Sequence, residues 1–119
     1  MRLVVIESPW GAKDPTIKKR NFDYAIGAML DCLNRGEAPY ASHLLFTHPG
    51  LLNDDDPGER DLGIRAGFAW GEKASLVAVY ADFGLSLGMR FGIERAQLRG
   101  QAVEYRHLYA EGAPSAPGI

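Results

Sequence analysis

Three short loops and one helix start carry the side chains of this chain best suited to bind or transform a small molecule. The first loop, Ser8-Pro9-Trp10-Gly11, follows the apolar run Leu3 to Ile6 and Glu7. Ser8 offers a hydroxyl, and Trp10 a large aromatic face that either stacks on a base or covers the edge of a core. Ser42 and His43 follow Ala38-Pro39-Tyr40-Ala41. A histidine titrates near neutrality, so His43 reads as a general acid or base, as a ligand contact, or as a partner for a loop carbonyl. Asp82 follows the apolar run that ends at Tyr80. It can hold a ribose hydroxyl or cap its own turn. Ser86 is first of all a helix N-cap. With Gly88 and Met89 it presents unpaired backbone N–H groups that suit an anion.

Other candidate groups have two readings each. Glu94 lies one turn after Arg90. It is an exposed ion-pair partner, or a carboxylate near a sugar carbon, acting as nucleophile or as stabiliser of cationic character. Arg20 and Asn21 fall in the first turns of a helix, on a solvated face or against a phosphate. Glu7, at the end of a buried strand, reads as structural, with a place in the site as the second reading. Asp54-Asp55-Asp56 reads as solvated turn and cap, so no metal site is expected. His48 and His107 show no ligand spacing. The single cysteine, Cys32, excludes an internal disulfide and reads as a small buried apolar residue.

The elements that must position these groups follow from hydrophobic periodicity. Leu3 to Ile6 is continuously apolar, as in a strand covered on both faces. Ala25, Ala28, Met29, Cys32 and Leu33 recur at three-and-four spacing in a helix from about Thr16, its cap, to Arg35, stopped by Gly36. Pro39 confines the next strand, Ala38 to Ala41, to an edge or to a strand's first residues. Leu44 to Thr47 fits a strand or a helical turn. Asp56, Pro57 and Glu59 open a second long helix with a buried stripe of Leu62, Ala66, Ala69 and Trp70. Ala74 to Tyr80 is the strongest strand and is expected at the centre. Ser86 starts a third long helix whose Met89, Ile93 and Ala96 face inward, and Gly100 ends it. Gln101 to Arg106 alternates and belongs nearer an edge.

Alternation of strands and helices predicts an α/β fold: a Rossmann-like three-layer sandwich with a short, mostly parallel sheet of four to five strands and helices on both faces. Ligands of such sheets bind beyond the carboxyl ends of the strands. That rule gathers Ser8, Pro9, Trp10, Ser42, His43, Asp82, Ser86, Gly88 and Met89 at one rim.

At 119 residues and 46% hydrophobic content, one folded domain is expected over 1–109, followed by a flexible tail over 110–119. A net charge of −2 implies no basic surface for duplex DNA or RNA. The opening residues are too soon interrupted for a signal peptide, and no apolar run approaches the roughly 20 residues of a membrane span. A reducing cytoplasm is the expected location.

Val4-Val5-Ile6-Glu7-Ser8-Pro9, Leu33-Asn34-Arg35-Gly36 with Ala38-Pro39, Ala74 to Tyr80, and Ser86 to Ala96 together resemble the nucleoside 2-deoxyribosyltransferase superfamily. Gly36 to Leu45 and Gly88 through Arg106 look closer still to small uncharacterised phage and prophage proteins of that type. The resemblance spans roughly residues 3 to 108. It implies cleavage or transfer at a nucleoside N-glycosidic bond by a helix glutamate, without a cofactor, in a homodimer or higher homo-oligomer whose sites borrow residues from a neighbour.

In that pattern the glutamate falls four residues after the helix's opening glycine; counted from Gly88, that position is Gly92. Glu94 is two residues later, a rotation of about 200°. Two expectations follow, beside a structural or protein-interaction role. One is an enzyme with Glu94 as nucleophile, Asp82 positioning the sugar, His43 or Ser86 assisting, and Trp10 packing on the base. Arg20 and the loop residues would complete the ligand contacts. The other is a binding protein that sequesters a nucleotide-derived, cyclic ADP-ribose-like defence signal in the host cytoplasm of a phage.

Overall fold

The computed structural model describes residues 1–109; the expected tail, 110–119, lies outside the described residues. The elements run β1 (Leu3–Glu7), α1 (Pro15–Asn34), β2 (Ala38–Tyr40), α2 (Ser42–Leu45), α3 (Pro57–Gly71), β3 (Leu76–Tyr80), α4 (Leu87–Leu98) and β4 (Ala102–Arg106). The four strands form one parallel sheet in the order β2-β1-β3-β4. Val5 stands opposite Val77, and Val77 opposite Val103.

Each sheet face has its own helical cover. Val4, Ile6, Leu76, Ala78 and Tyr80 pack on the α1 side with Tyr24, Ala28 and Cys32. Val77 and Val79 pack on the opposite side with Met89, Ile93 and Ala96 of α4. The result is a three-layer, Rossmann-like α/β sandwich. Strand β3 is buried along its whole length, as its unbroken apolar run requires in a central position. Full burial of a side chain such as Val79 contributes about 1.5–3 kcal/mol. Both flanking strands match their sequences, since Pro39 sits in edge strand β2 and the alternating β4 forms the other edge.

Helix starts and stops follow local chemistry. Asp56 accepts from the Glu59 backbone N–H at 2.9 Å, and Ser86 from that of Met89 at 3.2 Å. Gly36 and Gly100 end α1 and α4 with φ of +76° and +73°, a region costly for residues with a Cβ.

Several expectations need correction. Asp14, not Thr16, caps α1: its carboxylate accepts from the Thr16 N–H at 2.8 Å, and Pro15 takes the first helical position. Leu33 is exposed and Met29 half-buried, so the buried stripe runs instead through Asn21, Tyr24, Ala25, Ala28 and Cys32. Of the two alternatives for Leu44 to Thr47, the helical one holds for Leu44 and Leu45, which belong to the short helix α2.

The largest departure is in α3, where Leu62 and Trp70 are 48% and 65% exposed and Ala69 also faces solvent. The buried residues of α3 are Gly67 and Gly71, and Gly63 is half-buried. These glycines recur every four residues and form the inward face. A Cβ on Gly67 would meet Ser42 Cβ at 2.8 Å and Oγ at 2.9 Å; one on Gly71 would meet Val5 at 3.5 Å. Close backbone approach, rather than an apolar stripe, seats this helix.

Candidate functional site

On the α3–α4 side of the sheet lies a cavity of about 450 Å³. Odd-numbered residues of β1 face it, which brings Val5 and Glu7 into its wall. The loop after β1 adds Ser8, Pro9 and Trp10, and α2 adds Ser42 and His43. Ser86, Gly88, Met89 and Gly92 come from the start of α4, Arg95 from its last turn and Arg99 from its C-cap. The glycine face of α3 closes the space from above together with Phe68.

Glu7 is the chemical centre of this wall. A Cβ built on Gly92 would fall 2.6 Å from the Glu7 carboxyl carbon and 2.8 Å from Oε1. The carboxyl group therefore occupies the space that a side chain at Gly92 would fill. Burial raises its pKa to about 8, because a charge there loses its hydration. At neutral pH Glu7 carries its proton.

Beside it, Ser8 Oγ and His43 Nε2 share a hydrogen bond of 2.8 Å. Ser8 is buried, and burial lowers the His43 pKa to about 4, so the imidazole is neutral at physiological pH. The Trp10 ring meets His43 edge-on with centroids 5.0 Å apart. Asn21 reaches from α1 to donate to the Trp10 carbonyl at 3.0 Å, which fixes the loop that carries Ser8.

The structure thus brings together Ser8, Pro9, Trp10, Ser42, His43, Ser86, Gly88 and Met89. Three expected site residues are elsewhere. Glu94 is exposed on α4 and outside the cavity wall, because two residues beyond Gly92 the helix has turned to its solvent side. Asp82 also lies outside the wall, its carboxylate engaged on the α1 side. It accepts from the Tyr24 hydroxyl and from the backbone N–H groups of Leu108 at 2.8 Å and Tyr109 at 3.2 Å. Burial works to raise its pKa, and these hydrogen bonds outweigh it, holding it below the usual aspartate value. Arg20 lies over the Phe83 ring at 4.0 Å and donates to Asn21. Its guanidinium braces the first turns of α1 rather than the cavity.

Sequence reasoning placed Glu7 as structural and gave no role to Arg95 or Arg99. The signal for Glu7 was alternation along β1: Val4 and Ile6 face α1, so Glu7 shares the opposite face with Val5. Among the described residues, no cluster of three or more histidine, cysteine or acidic side chains is placed to hold a metal ion, and no helix is long and apolar enough to cross a membrane.

Fold and cavity together define a Rossmann-like α/β domain with a small-molecule-sized pocket containing a protonated carboxyl and a serine–histidine pair. The chain belongs to the family described as a domain of unknown function, DUF7768, whose model matches residues 2–106. No curated protein and no solved structure matches it.

Proposed function

We propose that this protein binds a nucleoside- or nucleotide-like ligand in the cavity and cleaves its N-glycosidic bond, with Glu7 as the reacting carboxyl. The observation that carries this reading is the position of the Glu7 carboxyl over Gly92. The resembled superfamily has its helix glutamate at the place of Gly92. Here the chain supplies a carboxyl to the same space from the end of β1.

The ionisation of Glu7 suits a general acid. With a pKa near 8 it holds a proton at neutral pH and can pass it to a leaving base. The glycosidic C–N bond breaks, its electron pair leaves with the base, and the base takes the Glu7 proton. Water adds at the anomeric carbon, and its surplus proton returns to Glu7. The Ser8–His43 pair hydrogen-bonds the sugar or the incoming water, and Trp10 supplies a stacking wall. Transfer to a second base uses the same first step.

Purified protein incubated with deoxynucleosides, their monophosphates and NAD-derived cyclic nucleotides should release free base, read by chromatography, with binding read by calorimetry. Glu7→Gln should lower the rate by about 10²-fold or more, with activity falling as pH rises through about 8. Glu94→Ala should leave the rate unchanged. Sequestration without cleavage is the second reading, favoured by Gly92 itself, since α4 offers no carboxylate at that place. Intact ligand bound stoichiometrically by the wild type would establish it. Neither release nor binding would overturn both.

A further inference from the structure

We infer that Arg95 and Arg99 form an anion subsite that takes the phosphate group of the cavity's ligand. This rests on the ligand class proposed above and adds the chemistry of its far end. The two arginines lie four residues apart, Arg95 in the last turn of α4 and Arg99 as its C-cap, and both line the cavity. Their guanidinium groups sit over the same ring, that of Phe68, with Cζ at 4.4 Å and 5.8 Å from its centroid. Phe91 packs against Phe68 at 5.6 Å and helps hold that platform.

Each guanidinium keeps one buried nitrogen without a hydrogen-bond acceptor. Arg95 Nε and Arg99 Nη2 are shielded from solvent and have no hydrogen-bond acceptor among the described residues. The nearest carboxylate, Glu72, is 3.6 Å from Arg99 Nη2 and half-exposed, beyond hydrogen-bond reach. Glu7, the carboxyl within the same wall, forms no ion pair with either guanidinium, and burial raises its pKa to about 8. Asp54, Glu59 and Arg60 line the cavity from the α3 side. Glu59 there accepts from the Asn53 backbone N–H at 3.3 Å.

Two like charges held one helical turn apart repel each other, and buried donors without acceptors destabilise a fold. Arrangements of this kind fit a ligand that supplies the acceptors, and planar guanidinium donors match phosphate oxygens. Arg95 and Arg99 stand three and seven residues beyond Gly92, about 5 and about 10 Å along the helix axis. The anion subsite thus follows the reacting carboxyl along the α4 wall of one cavity.

Calorimetry on the full chain tests this with inorganic phosphate, ribose 5-phosphate, the four deoxynucleosides and their 5′-monophosphates. At least one monophosphate should bind about tenfold or more tighter than its nucleoside. Arg95→Gln/Arg99→Gln should abolish that preference and leave nucleoside affinity unchanged. Arg95→Lys/Arg99→Lys, which keeps the charge, should retain part of it and guards against a variant that fails to fold. Phosphate or ribose 5-phosphate bound by the wild type and lost in the glutamine variant, with no nucleoside bound, would support the subsite and overturn the nucleoside reading. Nucleosides bound without any preference for monophosphates, or a preference surviving the glutamine variant, would overturn the subsite while that reading stands. No binding of any probe would overturn both.

Discussion

Glu7 and His43 sit in one cavity wall and make opposite demands on pH. In an unfolded chain Glu7 ionises near 4.5, whereas the folded protein holds its proton to about 8. Between those values the unfolded chain releases a proton that the native state keeps, so stability falls as pH rises. His43 is the reverse case. It ionises near 6.5 when unfolded and near 4 when folded, so stability falls as pH drops between them. The two effects oppose each other between about 4.5 and 6.5, and from 6.5 to 8 Glu7 acts without that opposition. One proton changes stability by about 1.4 kcal/mol per pH unit, so the Glu7 contribution removes about 2 kcal/mol over that span. Urea denaturation midpoints of the wild type should fall from pH 6.5 to 8, and those of Glu7→Gln should stay flat. Equal slopes for the two proteins would show that Glu7 ionises normally.

Elements in this fold are set by their ends and by glycine as much as by apolar stripes. The start of α1 depends on Asp14, whose carboxylate meets the N–H groups of Thr16 and Ile17. Asp14→Ala should cost about 1 kcal/mol, and Thr16→Ala much less, in thermal or urea unfolding; the opposite ranking would return the cap to Thr16. Gln101 secures the far end of α3, donating to the Gly71 and Ala74 carbonyls at 2.7 and 3.0 Å. Between its secured ends α3 presents glycines inward, which keeps its backbone close to Ser42 while leaving the cavity open. A large side chain at Gly67 would have pushed the helix away from α2.

Across the whole molecule, two buried polar clusters tie segments far apart in sequence. Arg106 donates to Glu37 at 2.7 and 2.8 Å and to the Tyr80 hydroxyl at 3.2 Å, and Arg2 reaches Glu37 at 2.8 Å. The Arg106 hydrogen bonds hold the Glu37 pKa down at about 2 against the effect of burial, with Arg2 assisting. Asp82 performs the second linkage, joining the β3 end to α1 through Tyr24 and to the chain after β4 through Leu108 and Tyr109. Asp82→Asn turns one acceptor oxygen into a donor facing N–H groups, and should lower stability by about 1–3 kcal/mol. Ligand affinity should be unchanged, because Asp82 is outside the cavity. A calorimetric loss of binding in a fully folded Asp82→Asn protein would bring Asp82 back into the site.

Local information sufficed for the strands, the helix stops, the parallel three-layer arrangement and the rim that gathers Ser8, Trp10, His43 and Ser86. Those features depend on residue periodicity, on proline and glycine geometry, and on the general rule for ligand sites in open sheets. Glu7, Gly92, Arg95 and Arg99 were decided only by tertiary structure. Whether a carboxyl at a strand end meets a cation, a backbone or a cavity depends on what the helix across from it lacks, and Gly92 is 85 positions away in the chain. The glycine face of α3 is the same kind of case, since periodicity shows where apolar side chains recur but not where two backbones must nearly touch. Asp82 and Glu94 have suitable chemistry in the sequence, and only the direction each faces in three dimensions removes them from the site.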